Sequence, residues 1–263
     1  MKNQYFGDVN DYRKYGLLRL LSREGAIRTG VCWMLTPDDE GPDGKKTHYL
    51  GDSKRAKWRE FDPELYEVLR AKVKGHETEK KSRDVKHFDE SLLPNSVAWG
   101  HVLHDSAADR QCYFDGMWSK FSTEDIQLIF FDPDDGLANI GTAKTHRKKG
   151  HKKSSKKIFK DEVETPFNKG FSVLLYQHFM RKERKQFTSD LAHNMMTLLR
   201  TTTAVSFSTP HVLFLLLPHP EHHVFLWERS HAVEDSAWSA VRSCKTSKGT
   251  DGRQILVQRH TMS

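Results

Sequence analysis

Three carboxylates follow a short apolar run near the middle of the chain. The stretch Q-L-I-F-F-D-P-D-D-G-L occupies residues 127–137, and its acids are Asp132, Asp134 and Asp135. A continuous apolar run bounded by turn residues predicts a strand that is buried on both faces. In open α/β sheets, ligands bind beyond the carboxyl ends of the strands, where these acids would emerge. We therefore predict that the three acids are catalytic, although such a segment is also an ordinary turn composition.

A second acid-rich turn, P-D-D-E-G-P-D-G, follows an earlier apolar run and carries Asp38, Asp39 and Asp43. If the two strands are neighbours, these acids face Asp132 and Asp134. Clustered carboxylates raise one another's pKa unless cations neutralise them, and oxygen ligands of this kind suit Mg²⁺ or Mn²⁺. We predict a Mg²⁺ or Mn²⁺ site formed by these five acids. The alternative is that the second turn is a solvated loop.

A third polar strand end contains Gln177 and His178, with Arg181 just beyond it. The apolar stretch Phe171–Phe179 predicts a buried strand that ends at the same edge of the sheet. His178 is a candidate general acid or base, and Arg181 is a candidate phosphate clamp. The structural alternatives are a core histidine and an arginine that only opens the following helix.

The net charge of +7 is concentrated in one segment. Nine Lys or Arg residues and no acid lie between Lys144 and Lys160, and the rest of the chain carries 33 basic against 35 acidic residues. Such a block suits a polyanion. We predict a basic loop inserted at residues 138–157 that binds nucleic acid; the alternative is a solvated loop. Its predicted contacts are Arg147, Lys148, Lys149, Lys152, Lys153, Lys156 and Lys157.

Strands and helices alternate along most of the sequence. The predicted helices are Asn10–Glu24, Asp62–Gly75, Asp105–Phe121, Ile158–Phe167, Arg181–Arg200 and Val233–Cys244. Besides the two buried strands above, the predicted strands are Thr29–Thr36, Val97–Leu103, Ala204–Ser208, His211–Leu217 and His223–Glu228, the last two forming a hairpin. This order predicts one α/β domain with a Rossmann-like, mostly parallel sheet that ends in an antiparallel C-terminal hairpin.

The composition restricts where the protein works. No stretch approaches the roughly 20 apolar residues that a membrane span needs, and the first residues, M-K-N-Q-Y-F-G-D, lack the apolar core of a signal peptide. Cys32, Cys112 and Cys244 are widely spaced and odd in number. We predict a cytoplasmic protein without a membrane partner, whose cysteines are reduced, buried and inert. The oligomeric state does not follow from the sequence.

This order of elements resembles class I S-adenosylmethionine (SAM)-dependent methyltransferases. Two stretches resemble the branch that methylates adenine in ribosomal RNA. Gly7–Tyr15 reads G-D-V-N-D-Y-R-K-Y, where that branch has a pattern like G-N-H-A-D-V-L-K-H, so that Gly7, Asp11 and Lys14 match in register. The D-P of D-P-D-D stands where that branch has D-P-P-Y. The resemblance implies a methyltransferase-like fold, SAM as the cofactor, and Asp11 and Lys14 as cofactor-binding residues.

Two departures separate the chain from that branch. The turn after the first strand, T-P-D-D-E-G-P-D-G, lacks the G-x-G pattern that lets the backbone approach the cofactor. Asp134 and Asp135 replace the proline and the aromatic residue that stacks on the target base. The chain resembles more strongly an uncharacterised bacterial group with F-D-P-D-N-G and Y-Q-H-F-P-R signatures, and that resemblance implies no activity.

The residues therefore support three functional hypotheses. The first is a Mg²⁺-dependent nuclease or phosphodiesterase on a methyltransferase-like scaffold, which uses the acids, the His–Arg strand end and the basic loop together. The second is a SAM-dependent nucleic-acid methyltransferase with divergent motifs. The third is a nucleic-acid-binding protein without catalysis.

Overall fold

The computed structural model describes residues 1–38, 44, 46–51, 57–78, 83–138, 148–239 and 254–262. Its helices are α1 (Val9–Ser22), α2 (Pro63–Thr78), α3 (Ala107–Phe121), α4 (Lys160–Asn168), α5 (Arg184–Leu199) and α6 (His223–Asp235). Its strands are β1 (Thr29–Cys32), β2 (Ser96–Trp99), β3 (Leu128–Phe131), β4 (Gly136–Leu137), β5 (Lys157–Ile158), β6 (Ser172–His178), β7 (Thr203–Ser208), β8 (Val212–Leu217) and β9 (Leu256–Thr261).

Seven strands form one central sheet in the order β2-β1-β3-β6-β8-β7-β9. The first four are parallel, β8 is antiparallel to both β6 and β7, and β9 is antiparallel to β7. Strands β4 and β5 pair separately in a small parallel sheet. The predicted Rossmann-like, mostly parallel α/β fold with antiparallel C-terminal strands is confirmed. The predicted neighbours β1 and β3 pair directly, Cys32 opposite Phe131.

The central strand β3 is buried on both faces, as predicted. Leu128 and Phe130 pack in one hydrophobic layer, and Ile129 and Phe131 pack in the other. Successive side chains of a strand point to opposite faces, so an unbroken apolar run suits a strand covered on both sides. The backbone N–H of Asp132 then donates to the carbonyl of Cys32 at 3.0 Å. The acidic turn therefore begins at the carboxyl end of the sheet.

Helix α1 begins at an aspartate cap and places polar residues beside that edge. Asp8 Oδ1 accepts hydrogen bonds from the N–H groups of Asn10 and Asp11, at 2.7 and 3.1 Å. Such a cap satisfies amides that have no partner within the helix. The helix ends at Arg23, which adopts a left-handed conformation with φ 50°. Both Asp11 and Lys14 are buried, so this helix carries charged groups inward as well as apolar ones.

The prediction that His223–Glu228 forms a strand of the C-terminal hairpin is wrong, because this stretch forms the first turns of α6. Leu226, Ser230 and Val233 are buried along α6, at helical spacing, where the helix packs against α1. The pattern of the short run H-V-F-L-W-E predicts a strand wrongly, because the periodicity of so few residues does not distinguish a strand from a helix. The actual hairpin joins β7 to β8.

The C-terminal end differs from the prediction in two further ways. The predicted helix Val233–Cys244 is confirmed for residues 233–235, where α6 ends, and is wrong for residues 236–239; residues 240–244 lie outside the described residues. The local sequence patterns predict no strand after residue 244, yet the apolar run that begins at Ile255 leads into β9. Strand β9 pairs with β7 over six residues, from Leu256 to Thr261. Its alternation is weak because it is an edge strand with little buried surface.

Several predicted elements are shorter than expected. Strand β1 stops at Cys32 and β2 at Trp99, and beyond them only an isolated bridge joins Leu35 to Val102. The left-handed backbone of Met34 (φ 45°) interrupts β1. Ile158 belongs to β5, and α4 begins after it.

Two predictions about single residues are also corrected. Helix α5 starts at Arg184, so Arg181 lies in the turn before it and does not open the helix. Cys32 is buried and hydrogen-bonded to Tyr113 at 3.4 Å, but Cys112 is exposed, so the expectation of buried, inert thiols is wrong for that residue. Burial raises the pKa of the Cys32 thiol to about 12.

Among the described residues, no helix is both long and apolar enough to cross a membrane.

Candidate active site

A polar cavity of about 400 Å³ opens at the carboxyl ends of β3 and β6. We call it the site cavity. Its walls are the N-terminal residues, the start of α1, the turn after β3 and the end of β6. Lys46 and Lys156 complete its rim. The cavity therefore lies at the sheet edge where the sequence predicted a site.

A buried ion pair between Lys14 and Asp132 forms the floor of the site cavity. Lys14 Nζ lies 2.6 Å from Asp132 Oδ2 and 3.2 Å from Asp11 Oδ1. Lys14 is 4% exposed and Asp132 1%. The ammonium also lies 4.7 Å from the centre of the Tyr176 ring, a cation–π contact. Burial alone would lower the pKa of Lys14, but Asp132 and Asp11 outweigh it and raise the pKa well above its usual value.

Two further aspartates lie beside this pair at the start of α1. Asp11 Oδ2 accepts hydrogen bonds from the backbone N–H of Gly7 at 3.0 Å and from the Tyr15 hydroxyl at 3.3 Å. Burial, only partly offset by Lys14, raises the pKa of Asp11 to about 7. Burial likewise raises the pKa of Asp8. The floor thus holds more carboxyl groups than cations, and Asp11 takes up a proton near neutral pH.

Asp134 is held by cations on the wall of the site cavity. Its Oδ1 lies 2.9 Å from the terminal ammonium of Met1, and its Oδ2 accepts a hydrogen bond from the Thr36 hydroxyl at 3.2 Å. Lys156 Nζ lies 3.6 Å from the same Oδ2. Burial would raise the pKa of Asp134, but the terminal ammonium and Lys156 hold it below its usual value. Asp134 therefore remains a carboxylate at neutral pH.

Asp135 lies at the mouth of the site cavity. Its side chain is 41% exposed, and Oδ2 lies 3.2 Å from Lys157 Nζ. The following residue, Gly136, has φ 86°, a conformation that favours glycine. A Cβ at Gly136 would overlap the Gln177 amide, whose Oε1 accepts a hydrogen bond from the N–H of Leu137 at 2.7 Å. Gln177 therefore stabilises the acidic turn, and it is not among the residues that line the site cavity.

His178 lines the site cavity, whereas Arg181 is exposed and is not among the cavity's described lining residues. The His178 ring packs edge-on against Tyr176, with 5.2 Å between ring centres. Partial burial and the nearby Lys14 ammonium lower the pKa of His178, although Asp132 opposes the shift. At pH 7 the imidazole is therefore mainly neutral and able to accept a proton.

The predicted metal cluster is only partly within the described residues. Asp38 is exposed, and its Oδ1 accepts the N–H of Gln4 at 3.4 Å. Asp39 and Asp43 lie outside the described residues. Within the described part of the chain, no group of three or more His, Cys, Asp or Glu side chains is placed to hold a metal ion. A cluster that includes the two undescribed acids stays a prediction.

The predicted nucleic-acid contacts that the structure describes divide into three sets. Lys156 lines the site cavity and Lys157 pairs with Asp135, so the end of the basic loop reaches the site. Lys149 instead pairs with Asp161 and Glu162, on the wall of a second cavity of about 240 Å³. Lys148, Lys152 and Lys153 are exposed, and Arg147 lies outside the described residues.

Among the lining residues that the sequence patterns did not identify as site residues are Asp8, Lys46 and Tyr176. In the sequence Asp8 is indistinguishable from an ordinary helix cap, and Lys46 lies in a loop without a pattern. Tyr176 had a usable signal, because it is two residues before His178 and side chains two apart share one face of a strand.

Comparison of the sequence with protein-family models returned no match, and comparison with curated proteins returned none either.

Proposed function

We propose that the protein is a nucleic-acid-processing enzyme whose reaction takes place in the site cavity. The observation that carries this proposal is that Lys156, from the basic loop, lines the same cavity as the buried Lys14–Asp132 pair. Cations that suit a polyanion thus adjoin groups that can move protons or stabilise charge. If the Lys14–Asp132 pair served only to stabilise the fold, it would not need to adjoin a cavity.

Phosphodiester hydrolysis is the reaction that this arrangement supports best. His178, neutral at pH 7, can take a proton from an attacking water. Lys14 and Lys156 both line the cavity, and their positive charges would stabilise negative charge that develops on phosphate oxygens. Asp132 holds Lys14 in place at 2.6 Å. Its role in the proposal is therefore to position a cation.

The proposal includes Mg²⁺ or Mn²⁺ at the mouth of the cavity. Asp135 is the acid most open to an ion, because its side chain is 41% exposed, against 8% for Asp134 and 2% for Asp132. A bound divalent ion would neutralise the phosphodiester and orient water. Asp39 and Asp43 from the second acidic turn are the further ligands that the sequence predicts.

The test is a cleavage assay on single-stranded and duplex DNA and RNA, with Mg²⁺, with Mn²⁺ or with EDTA. We expect cleavage that EDTA abolishes and that Asp135→Asn and His178→Gln each reduce. For His178→Gln the loss should be roughly 10²-fold or more, the lower limit for loss of an acid–base group. Glu124→Gln, at the opposite end of β3, is the matched control and should leave the rate unchanged. Folded protein that leaves every substrate intact rejects the hydrolase, and salt-sensitive binding without reaction identifies a binding protein.

A SAM-dependent nucleic-acid methyltransferase is the second candidate, because the two stretches that resemble that family meet in space. Gly7 donates to Asp11, Asp11 contacts Lys14, and Lys14 contacts Asp132. The antiparallel strand β8 between β6 and β7 also suits the resemblance. Asp134 and Asp135 do not fit base stacking, since carboxylates provide no aromatic face. Calorimetric titration with SAM decides this candidate, which is rejected if no heat of binding is observed.

A further inference from the structure

The basic loop is fastened to the protein by a buried arginine outside the site cavity. Arg110, on α3, is 1% exposed. Its guanidinium makes two hydrogen bonds of 2.6 Å to the Glu162 carboxylate. Nη1 donates to the carbonyl of Ser154 at 3.0 Å, and Nη2 donates to that of Lys157 at 2.6 Å. One side chain thus binds the loop backbone at two points, with its charge neutralised by α4.

Asp105 holds the same segment from the other side. Its Oδ1 accepts from the Ser155 N–H at 2.9 Å and from the Ser155 hydroxyl at 2.7 Å. Its Oδ2 accepts from the Lys153 N–H at 2.7 Å. Lys153 has φ 66°, a left-handed conformation that non-glycine residues adopt at a cost. The Asp105 hydrogen bonds stabilise this unusual backbone.

The fastened segment is also joined to the acidic turn. The N–H of Asp135 donates to the carbonyl of Lys156 at 2.7 Å, and that of Ala138 donates to Ile158 at 2.7 Å. Between these anchors, the Lys156 and Lys157 side chains lie near Asp134 and Asp135. The hydrogen bonds from Arg110 and Asp105 to the backbone of residues 153–157 therefore determine where the Lys156 and Lys157 ammonium groups lie.

We infer that Arg110 and Asp105 are positioning residues that hold Lys156 and Lys157 at the site cavity. As a statement about ligand binding this rests on the proposed function, because the lysines are the groups offered to a polyanion. A preorganised cation loses less conformational entropy on binding than one on a free loop. Release of the segment should weaken binding of single-stranded nucleic acid roughly tenfold without removing any charge that contacts it.

The geometric part is tested by amide hydrogen exchange. Arg110→Gln and Asp105→Ala should each speed exchange at Asp135 and Ala138, while amides in the middle of β3 remain protected. Asp105→Ala is the variant that remains informative if the loss of buried Arg110 prevents folding. Arg28→Gln, which breaks a partly exposed ion pair with Glu124, is the matched control and should change neither site. Unchanged exchange at Asp135 and Ala138 in folded Asp105→Ala overturns the inference.

The binding part uses fluorescence anisotropy with a fluorescein-labelled oligothymidylate of about 20 nucleotides. Asp105→Ala should weaken binding by no more than Lys156→Ala/Lys157→Ala does, because the released lysines keep their charge, and the triple variant should bind no more weakly than that double variant. An additive loss in the triple variant overturns the inference, because Asp105 would then act independently of the two lysines. Wild-type protein that does not bind the probe rejects the proposed function, whereas the exchange experiment still decides whether Asp105 and Arg110 fasten the loop.

Discussion

Substitution of Lys14 by methionine tests whether the buried ion pair organises the floor of the site cavity. The change removes the ammonium group but keeps an unbranched side chain. Asp132 loses a partner at 2.6 Å, and Asp11 loses one at 3.2 Å. Both carboxylates are nearly inaccessible to water. Because water cannot replace the lost cation, the variant holds uncompensated negative charge in its interior.

The expected cost follows from the burial of the pair. Removing one partner of a buried ion pair destabilises a protein by about 3–5 kcal/mol. For a chain near this size, each kcal/mol lowers the melting temperature by about 2–4 °C. Lys14→Met should therefore melt roughly 6–20 °C below wild type. Arg28→Met, which breaks the partly exposed pair with Glu124, is the matched control and should cost at most about 1 kcal/mol.

The assay is urea and thermal unfolding followed by circular dichroism. It compares wild type, Lys14→Met, Asp132→Asn and the double variant Lys14→Met/Asp132→Asn, with Arg28→Met as the control. The double variant removes one of the stranded carboxylates, so it should be more stable than Lys14→Met alone. The coupling energy between the two positions should be about 2 kcal/mol or more, since the two groups are in direct contact. A folded Lys14→Met within about 1 kcal/mol of wild type, or additive single effects, refutes the reasoning.

Three further predictions concern neighbouring groups. The pKa of Asp11 is raised from 3.8 to about 7, so between pH 4 and 7 the folded protein keeps a proton that the unfolded chain loses. This group's contribution to stability therefore falls as pH rises over that range. In urea titrations, the free energy of unfolding of Asp11→Asn should rise relative to that of wild type from pH 4 to 7, and a constant difference contradicts this. Gly136→Ala should lower stability by about 1–3 kcal/mol in the same assay, because it strains the backbone and displaces Gln177, whereas Gly75→Ala, which meets no neighbour, should not destabilise; equal effects count against this account. If His178 is the base, activity should fall only below pH 6.5, its ordinary pKa, and His178→Gln should remove that limb of the pH–rate profile.

Local sequence patterns were sufficient for the parallel part of the fold. The unbroken apolar run Leu128–Phe131 identified a strand buried on both faces, and Asp62-Pro63-Glu64 identified the start of α2. These signals survive because burial on two faces and helix capping depend on few neighbouring residues. The stretch His223–Glu228 failed, because only packing against α1 decides between helix and strand for so short an apolar run.

The sequence by itself determined the residue types of the candidate site and the sheet edge that carries them. It placed Asp132 and His178 at the ends of two buried strands, and it identified Lys14 through the resemblance. Only the tertiary structure decided which charges meet: Asp132 lies against Lys14, and Lys149 turns away to Glu162. The physical reason is that a carboxylate's role depends on the nearest cation and on its exposure to water. Both are set by residues far apart in the chain.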